Sequence, residues 1–396
     1  MLFSSQFIID KFIEKTKHDE NFNKLLLASL FKAKKIATEQ LNPDLFKALS
    51  WPLSLEEYNI YLVEFSKWIP RESKDAIWKI PGTNGHQEVD DRTNHFYWLV
   101  DQEVGVDNTT LVENIAWFSK WLIEYAQSWG NFLDTTDSFN QETLNTFCNN
   151  SPLYKVEDSM IGNKPNNPSG WLTFNQFFAR ELNPGMRPIA CPFDNTIVTS
   201  PADCNFKGIY HIGADSTIPE IIVKNTHKFS SIEHLLQGSI YNNAFAGGTF
   251  VHYYLSTFSY HRFHTPVAGI VKECYPIHGL VYLDVKIKNN QFDSPDSAED
   301  GYEFAQARGV ITIDTTHSPF GNIGIVAIIP IGMCQVSSVN MIATVGSELL
   351  KGDEFGYFLF GGSDIIVLFQ EGTNPQIDKD EKYRLYGSEI AKCTKL

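Results

Sequence analysis

No apolar run in the chain reaches the roughly 18–20 residues that a membrane-spanning helix needs. A basic surplus is missing too: 32 Lys and Arg stand against 47 Asp and Glu, a net charge of −15. Non-specific binding to nucleic acid needs surplus cations to neutralise phosphates, so a nucleic-acid partner is not expected. Electrostatic docking on an anionic membrane is disfavoured for the same reason. The six cysteines (Cys148, Cys191, Cys204, Cys274, Cys334, Cys393) are scattered, with no C-x-x-C pair. They read as reduced residues, neither a disulfide framework nor a zinc site. A zincin H-E-x-x-H is lacking, and no metal is expected. The opening stretch MLFSSQFIIDKFIEKTKHDE carries Lys and Asp too early for a signal peptide. The expectation is a soluble, cytoplasmic protein with no integral membrane span.

What is present is enough apolar residue, 43 % of 396, for a sizeable folded core. That length suggests two or three domains. The first part reads as helical: Phe22 to Ala37, Leu55 to Trp68 and Leu111 to Trp129 carry apolar residues at helical spacing. Pro81 to His95 is polar and reads as a loop. Residues 150–170, rich in Asn, Pro, Ser and Gly, read as a linker. After a short helix around Phe174 to Glu181, the pattern turns to strands at Val251 to Leu255, Val281 to Ile287, Val310 to Ile313, Ile323 to Ile329 and Ile365 to Phe369. Asn289-Asn290 marks a hairpin turn. The acids of residues 289–303 (Asp293, Asp296, Glu299, Asp300, Glu303) read as a solvated loop. The expected fold is α+β, with a helical N-terminal domain over 1–150 and a β-rich, mostly antiparallel core over 151–396.

Three segments carry candidate chemistry: Ser200-Pro201-Ala202-Asp203, Tyr260 to Pro266 with His261 and His264, and Phe360-Gly361-Gly362-Ser363-Asp364. Taken alone, Asp203 reads as a turn residue. The two histidines fit a polar turn as well as a site, and Pro266 opposes a continuing helix. Ser363 follows two glycines, which leave the preceding carbonyl sterically open. It is either a plain turn residue or a nucleophile activated by a neighbouring base. Triads recur in several chain orders, so the order Asp203, His264, Ser363 decides nothing. G-x-S-x-G is absent at Ser363, which weakens an α/β-hydrolase reading.

Together the segments GWLTFNQFFARELNPGMRPI (170–189), SPADC (200–204), VKNTHKFSSIEHLL (223–236), YHRFHTPVAG (260–269), IGIVAIIPIGMCQVSS (323–338) and KGDEFGYFLFGGSD (351–364) resemble the phosphatidylserine decarboxylase family, in the family's order. WPLSLEEYNIYLVEFSKWIP (51–70) resembles the extra domain of a soluble branch that includes the fungal tryptophan decarboxylase of the psilocybin pathway. The resemblance implies a self-cleaving proenzyme, cut between Gly362 and Ser363, with cleaved α and β chains that stay associated. His264, oriented by Asp203, would serve as base on the Ser363 hydroxyl, and Ser363 would become a covalent pyruvoyl group. His261 is the position the resemblance links to decarboxylation. Three residues depart from the usual pattern: Cys204, Ser259 and Asp364. Asp364 bears most on chemistry, since a carboxylate beside the attacking hydroxyl would act as an extra base or repel an anionic intermediate.

The substrate expected from the resemblance is a small amine-bearing α-carboxylate, an aromatic amino acid such as tryptophan, with phosphatidylserine as the alternative. An unprocessed homologue acting as a binding scaffold is the reading from a different class. A homo-oligomer is compatible with the sequence.

Overall fold

The computed structural model describes residues 5–218, 231–294, 301–334, 338–361 and 363–396. Gly362, half of the expected cleavage junction, lies outside the described residues, as do residues 223–230 and 335–337 of the resembling segments. The chain forms two compact units: Met1–Phe177 with Leu280–Pro295, and Phe178–Gly279 with Asp296–Leu396. They do not coincide with the division at residue 150 read from the sequence. The polar stretch 150–170 is not an open linker. It forms two short 3-10 turns and a hairpin, Met160–Ile161 with Lys164–Pro165, and buries Tyr154 and Val156.

The first unit is helical. Asp19 caps Glu20–Gln40 by accepting a hydrogen bond from the Phe22 backbone N–H, satisfying a donor the helix cannot use itself. Phe22, Leu26, Leu30, Ala33 and Ala37 are buried at the three- and four-residue spacing of one helix face. Ser54 caps Leu55–Phe65 in the same way, through the Glu57 N–H. Ala116–Leu133 buries Phe118, Trp121, Leu122, Tyr125, Trp129 and Leu133. Phe12 and Phe22 pack with Phe118 and Trp121 of that helix.

Two sequence expectations fail here. Half of the expected loop 81–95 is helical, over Glu88–Trp98, with Glu88, Asp90 and Asp91 in the first turn, where the helix dipole favours anions. Arg92 bonds Glu88 one turn back. Polar residues on that helix are buried on most sides, so no apolar stripe betrayed it. Val281 to Ile287 is strand only from Lys286, in the hairpin Lys286–Lys288 with Gln291–Asp293. The hairpin turn itself is where the asparagines placed it, with φ of 52° at Asn289 and 63° at Asn290. Both angles are positive, as a type I′ turn requires.

The second unit is built on a seven-stranded antiparallel sheet. Its order is Glu348–Leu349, Gly269–Ile277, Ala307–Asp314, Ile325–Gly332, Ser363–Phe369, Thr249–Leu255, Asn205–His211. Every residue of Ser363–Phe369 is buried, so this inner strand is covered on both faces and reads as an apolar run instead of an alternation. A three-stranded sheet of Val339–Met341, Glu354–Phe358 and Arg262–His264 carries the histidine segment. Glu303, expected in a solvated loop, is buried in the turn Tyr302–Phe304. The turn leads into the strand Ala307–Asp314, and this tertiary placement takes its side chain out of water.

Candidate active site

Ser363 opens the strand Ser363–Phe369, opposite Leu255 on one side and Gly332 on the other. Its side chain is fully buried. The hydroxyl oxygen lies 3.3 Å from Nδ1 of His261, which immediately precedes the strand Arg262–His264. His261 Nε2 lies 3.2 Å from the backbone carbonyl of Thr257. A carbonyl only accepts, so Nε2 carries the ring hydrogen and Nδ1 offers its lone pair to the Ser363 hydroxyl. The imidazole stacks on Phe178, with centroids 3.9 Å apart and the planes inclined by 20°. Burial drives its pKa down to about 3, and the positive charge of Arg180 pushes the same way. His261 is therefore neutral at physiological pH.

His264 is engaged differently. Its Nδ1 lies 2.8 Å from the Gly352 carbonyl and must donate to it, so Nε2 accepts from the Tyr260 hydroxyl at 3.2 Å. Tyr386 stacks on the ring almost perfectly parallel, at 3.8 Å and 2°. Burial lowers this pKa to about 4.

Asp203 follows the strand Ile197–Thr199 and is buried. Its carboxylate accepts from Arg187 Nε at 3.2 Å and Nη2 at 2.6 Å, a two-pronged contact between buried partners. It also accepts from the Tyr386 backbone N–H at 2.8 Å. The link from Asp203 to His264 thus runs through Tyr386, whose backbone the carboxylate holds and whose ring covers the imidazole. Of the four residues singled out in the sequence, Ser363 and His261 are joined directly. Asp203 and His264 form a second group, with no hydrogen bond to Ser363 or to each other among the described residues.

Asp364 does not flank the Ser363 hydroxyl. Successive side chains of a strand point to opposite faces, and Asp364 points away to lie 3.3 Å from Nε2 of His252. Sequence reasoning passed over Phe178, Arg180, Arg187 and Tyr386. The first three lie within a segment that carries the resemblance, where an aromatic pair beside arginine was the available signal. Tyr386 lies beyond the last such segment and had no signal.

Residues 174–392 match the family model described as phosphatidylserine decarboxylase. The chain belongs to the phosphatidylserine decarboxylase family. It is 37 % identical over 200 residues to phosphatidylserine decarboxylase proenzyme 2 of Oryza sativa subsp. japonica, a match covering 50 % of this chain and 29 % of the rice protein. To the phosphatidylserine decarboxylase proenzyme of Chlamydia trachomatis serovar L2 it is 34 % identical over 202 residues, covering 50 % of this chain and 60 % of that one. To Decarboxylase iboD of Amanita muscaria it is 26 % identical over 265 residues, covering 61 % of this chain and 74 % of that relative. The chain therefore spans less than a third of the rice relative's length. The region matched by the family model contains all four singled-out residues and both groups they form. No helix among the described residues is long and apolar enough to cross a membrane.

Proposed function

We propose that this chain is a self-processing decarboxylase that cuts itself before Ser363 and releases carbon dioxide from a primary amine α to a carboxylate. The observation that carries this reading is the buried contact between the Ser363 hydroxyl and the lone pair of a neutral His261. A Ser hydroxyl attacks the preceding carbonyl only if a base takes its proton, and an imidazole with a free lone pair at hydrogen-bond reach is such a base. The N→O shift breaks the 362–363 amide and forms an ester through Ser363 Oγ. Elimination and hydrolysis then release ammonia and leave a pyruvoyl group. When present, that group supplies an electron sink for the pair left behind by carbon dioxide. Phe178 covers one face of His261, keeping water from the imidazole and fixing its plane. The proenzyme names of the rice and chlamydial relatives agree with self-processing.

Two proton routes are possible in chemistry, and they differ in outcome. On the observed geometry the Ser363 proton passes to His261. On the family resemblance it passes to His264, whose bond to Tyr260 must first open. Purified wild-type protein is expected to show a blocked fragment beginning at residue 363 by denaturing electrophoresis and mass spectrometry. Ser363→Ala should leave one intact chain and no released carbon dioxide. His261→Ala should likewise stay intact. A His261→Ala protein that still cuts itself but no longer turns over would return the processing step to His264.

For the substrate we favour a free amino acid over a phospholipid. The −15 charge opposes approach to an anionic surface, and the Amanita relative, matched over 74 % of its length, is named simply a decarboxylase. The names of the rice and chlamydial relatives favour phosphatidylserine as the second reading. Carbon dioxide release from tryptophan, phenylalanine and tyrosine, measured beside phosphatidylserine vesicles, separates them. Turnover of the vesicles alone would overturn the amino-acid reading. The ground for an inactive scaffold weakens, since the Asp364 carboxylate faces away from the reacting hydroxyl.

A further inference from the structure

We infer that His252, Glu303 and Asp364 form a binding site for a divalent first-row transition-metal ion, on the face of the sheet opposite Ser363. The three residues come from separate segments: the strand Thr249–Leu255, the turn Tyr302–Phe304 and the strand Ser363–Phe369. All three side chains are buried, and one potential ligand atom from each lies within 4.8 Å of the others. His252 Nε2 lies 3.3 Å from Asp364 Oδ2 and 3.8 Å from Glu303 Oε1. Bonds of about 2.0–2.2 Å in tetrahedral geometry place neighbouring ligand atoms roughly 3.3–3.6 Å apart, so His252 and Asp364 already stand at ligand spacing and Glu303 would close inward on the ion.

A second observation points to a ligand. His252 is fully buried, and neither ring nitrogen makes a hydrogen bond among the described residues. Buried imidazole nitrogens are normally satisfied, and here Nε2 is aimed between two carboxylates. One nitrogen and two carboxylate donors suit zinc or manganese better than calcium or magnesium, which take oxygen donors throughout. An ion would also offset the charge of two carboxylates held out of water. The strand pairing explains the convergence: Asp364 faces Tyr254 and Ile366 faces His252, so Asp364 and His252 share one face of the sheet. The departure from the family pattern at residue 364 thus supplies a ligand and not a second base. The ion would clamp the first residues of the strand that begins at Ser363.

The test uses the full chain, stripped with chelator, dialysed and titrated with Zn²⁺ or Mn²⁺ by calorimetry, with elemental analysis of the loaded protein. One ion per chain is expected. His252→Ala, Glu303→Gln and Asp364→Asn should each weaken binding by about tenfold or more. Ser363→Ala, which stops self-processing, should bind normally, because that side chain lies on the other face; the metal site is thereby tested apart from the decarboxylase reading. Co²⁺ loading of the wild type checks the donor set without a ligand variant. Visible bands without a thiolate charge-transfer band are expected. Substoichiometric uptake, wild-type affinity in the three ligand variants, or a thiolate band would each overturn the site.

Discussion

His261 and His264 stand three residues apart and use their ring nitrogens in opposite senses. His261 donates from Nε2 and keeps Nδ1 for Ser363, while His264 donates from Nδ1 to Gly352 and spends Nε2 on Tyr260. Phe178 matters at the same scale, since its ring covers one face of the imidazole, whose burial lowers the His261 pKa to about 3. Phe178→Ala should admit water to that face and move the pKa up toward the ordinary histidine range. An NMR titration of the imidazole reads this directly, and an unmoved pKa would show that other groups exclude the water. Asp203 carries a different consequence. Asp203→Asn removes the charge from one side of the buried pair with Arg187, which should lower stability by about 3 kcal/mol. Denaturant unfolding checks it. The four residues were legible in the sequence, but their grouping was not: spacing along a chain says nothing about which nitrogen faces which oxygen.

At the scale of elements, positions with special backbone demands were the ones the sequence displayed. Asn289 and Asn290 occupy the left-handed region and close the hairpin of Lys286–Lys288 with Gln291–Asp293. Asn289→Ala should cost about 1 kcal/mol, because a Cβ without local hydrogen bonding is disfavoured there, and Asn289→Gly should be nearly neutral. Thermal unfolding of the two variants separates backbone conformation from side-chain loss. The inner strands were equally visible as short apolar runs, since both their faces are buried. The helix Glu88–Trp98 was not. Its buried Glu88, Asp91, Asn94 and His95 erase the polar–apolar stripe that periodicity detects, and only a tertiary environment able to take up polar groups permits it.

Across the whole molecule, buried titratable groups set a pH dependence with opposing signs. Burial lowers His95 and His261 to about 3 and His264 to about 4. Between roughly pH 4 and 6.5 the unfolded chain binds protons at these positions and the native chain does not, so they make stability rise with pH. Burial raises Glu72 and Asp91, so the native state keeps protons that the unfolded state loses, and these groups make stability fall with pH. Glu72→Gln removes one opposing group and should steepen the rise of the melting temperature between pH 4.5 and 6.5. A profile parallel to the wild type would show that Glu72 is charged in the native state. By itself the sequence determined the family, the α+β class, the helical start, the inner strands and the chemistry-bearing residues, because each rests on local spacing or short contiguous segments. Only the tertiary structure decided that His261 meets Ser363, that Asp203 serves Arg187 and Tyr386, and that Asp364 turns to His252 and Glu303. Those choices depend on strand pairing and on which face of a sheet a side chain leaves, and neither is written in any one segment.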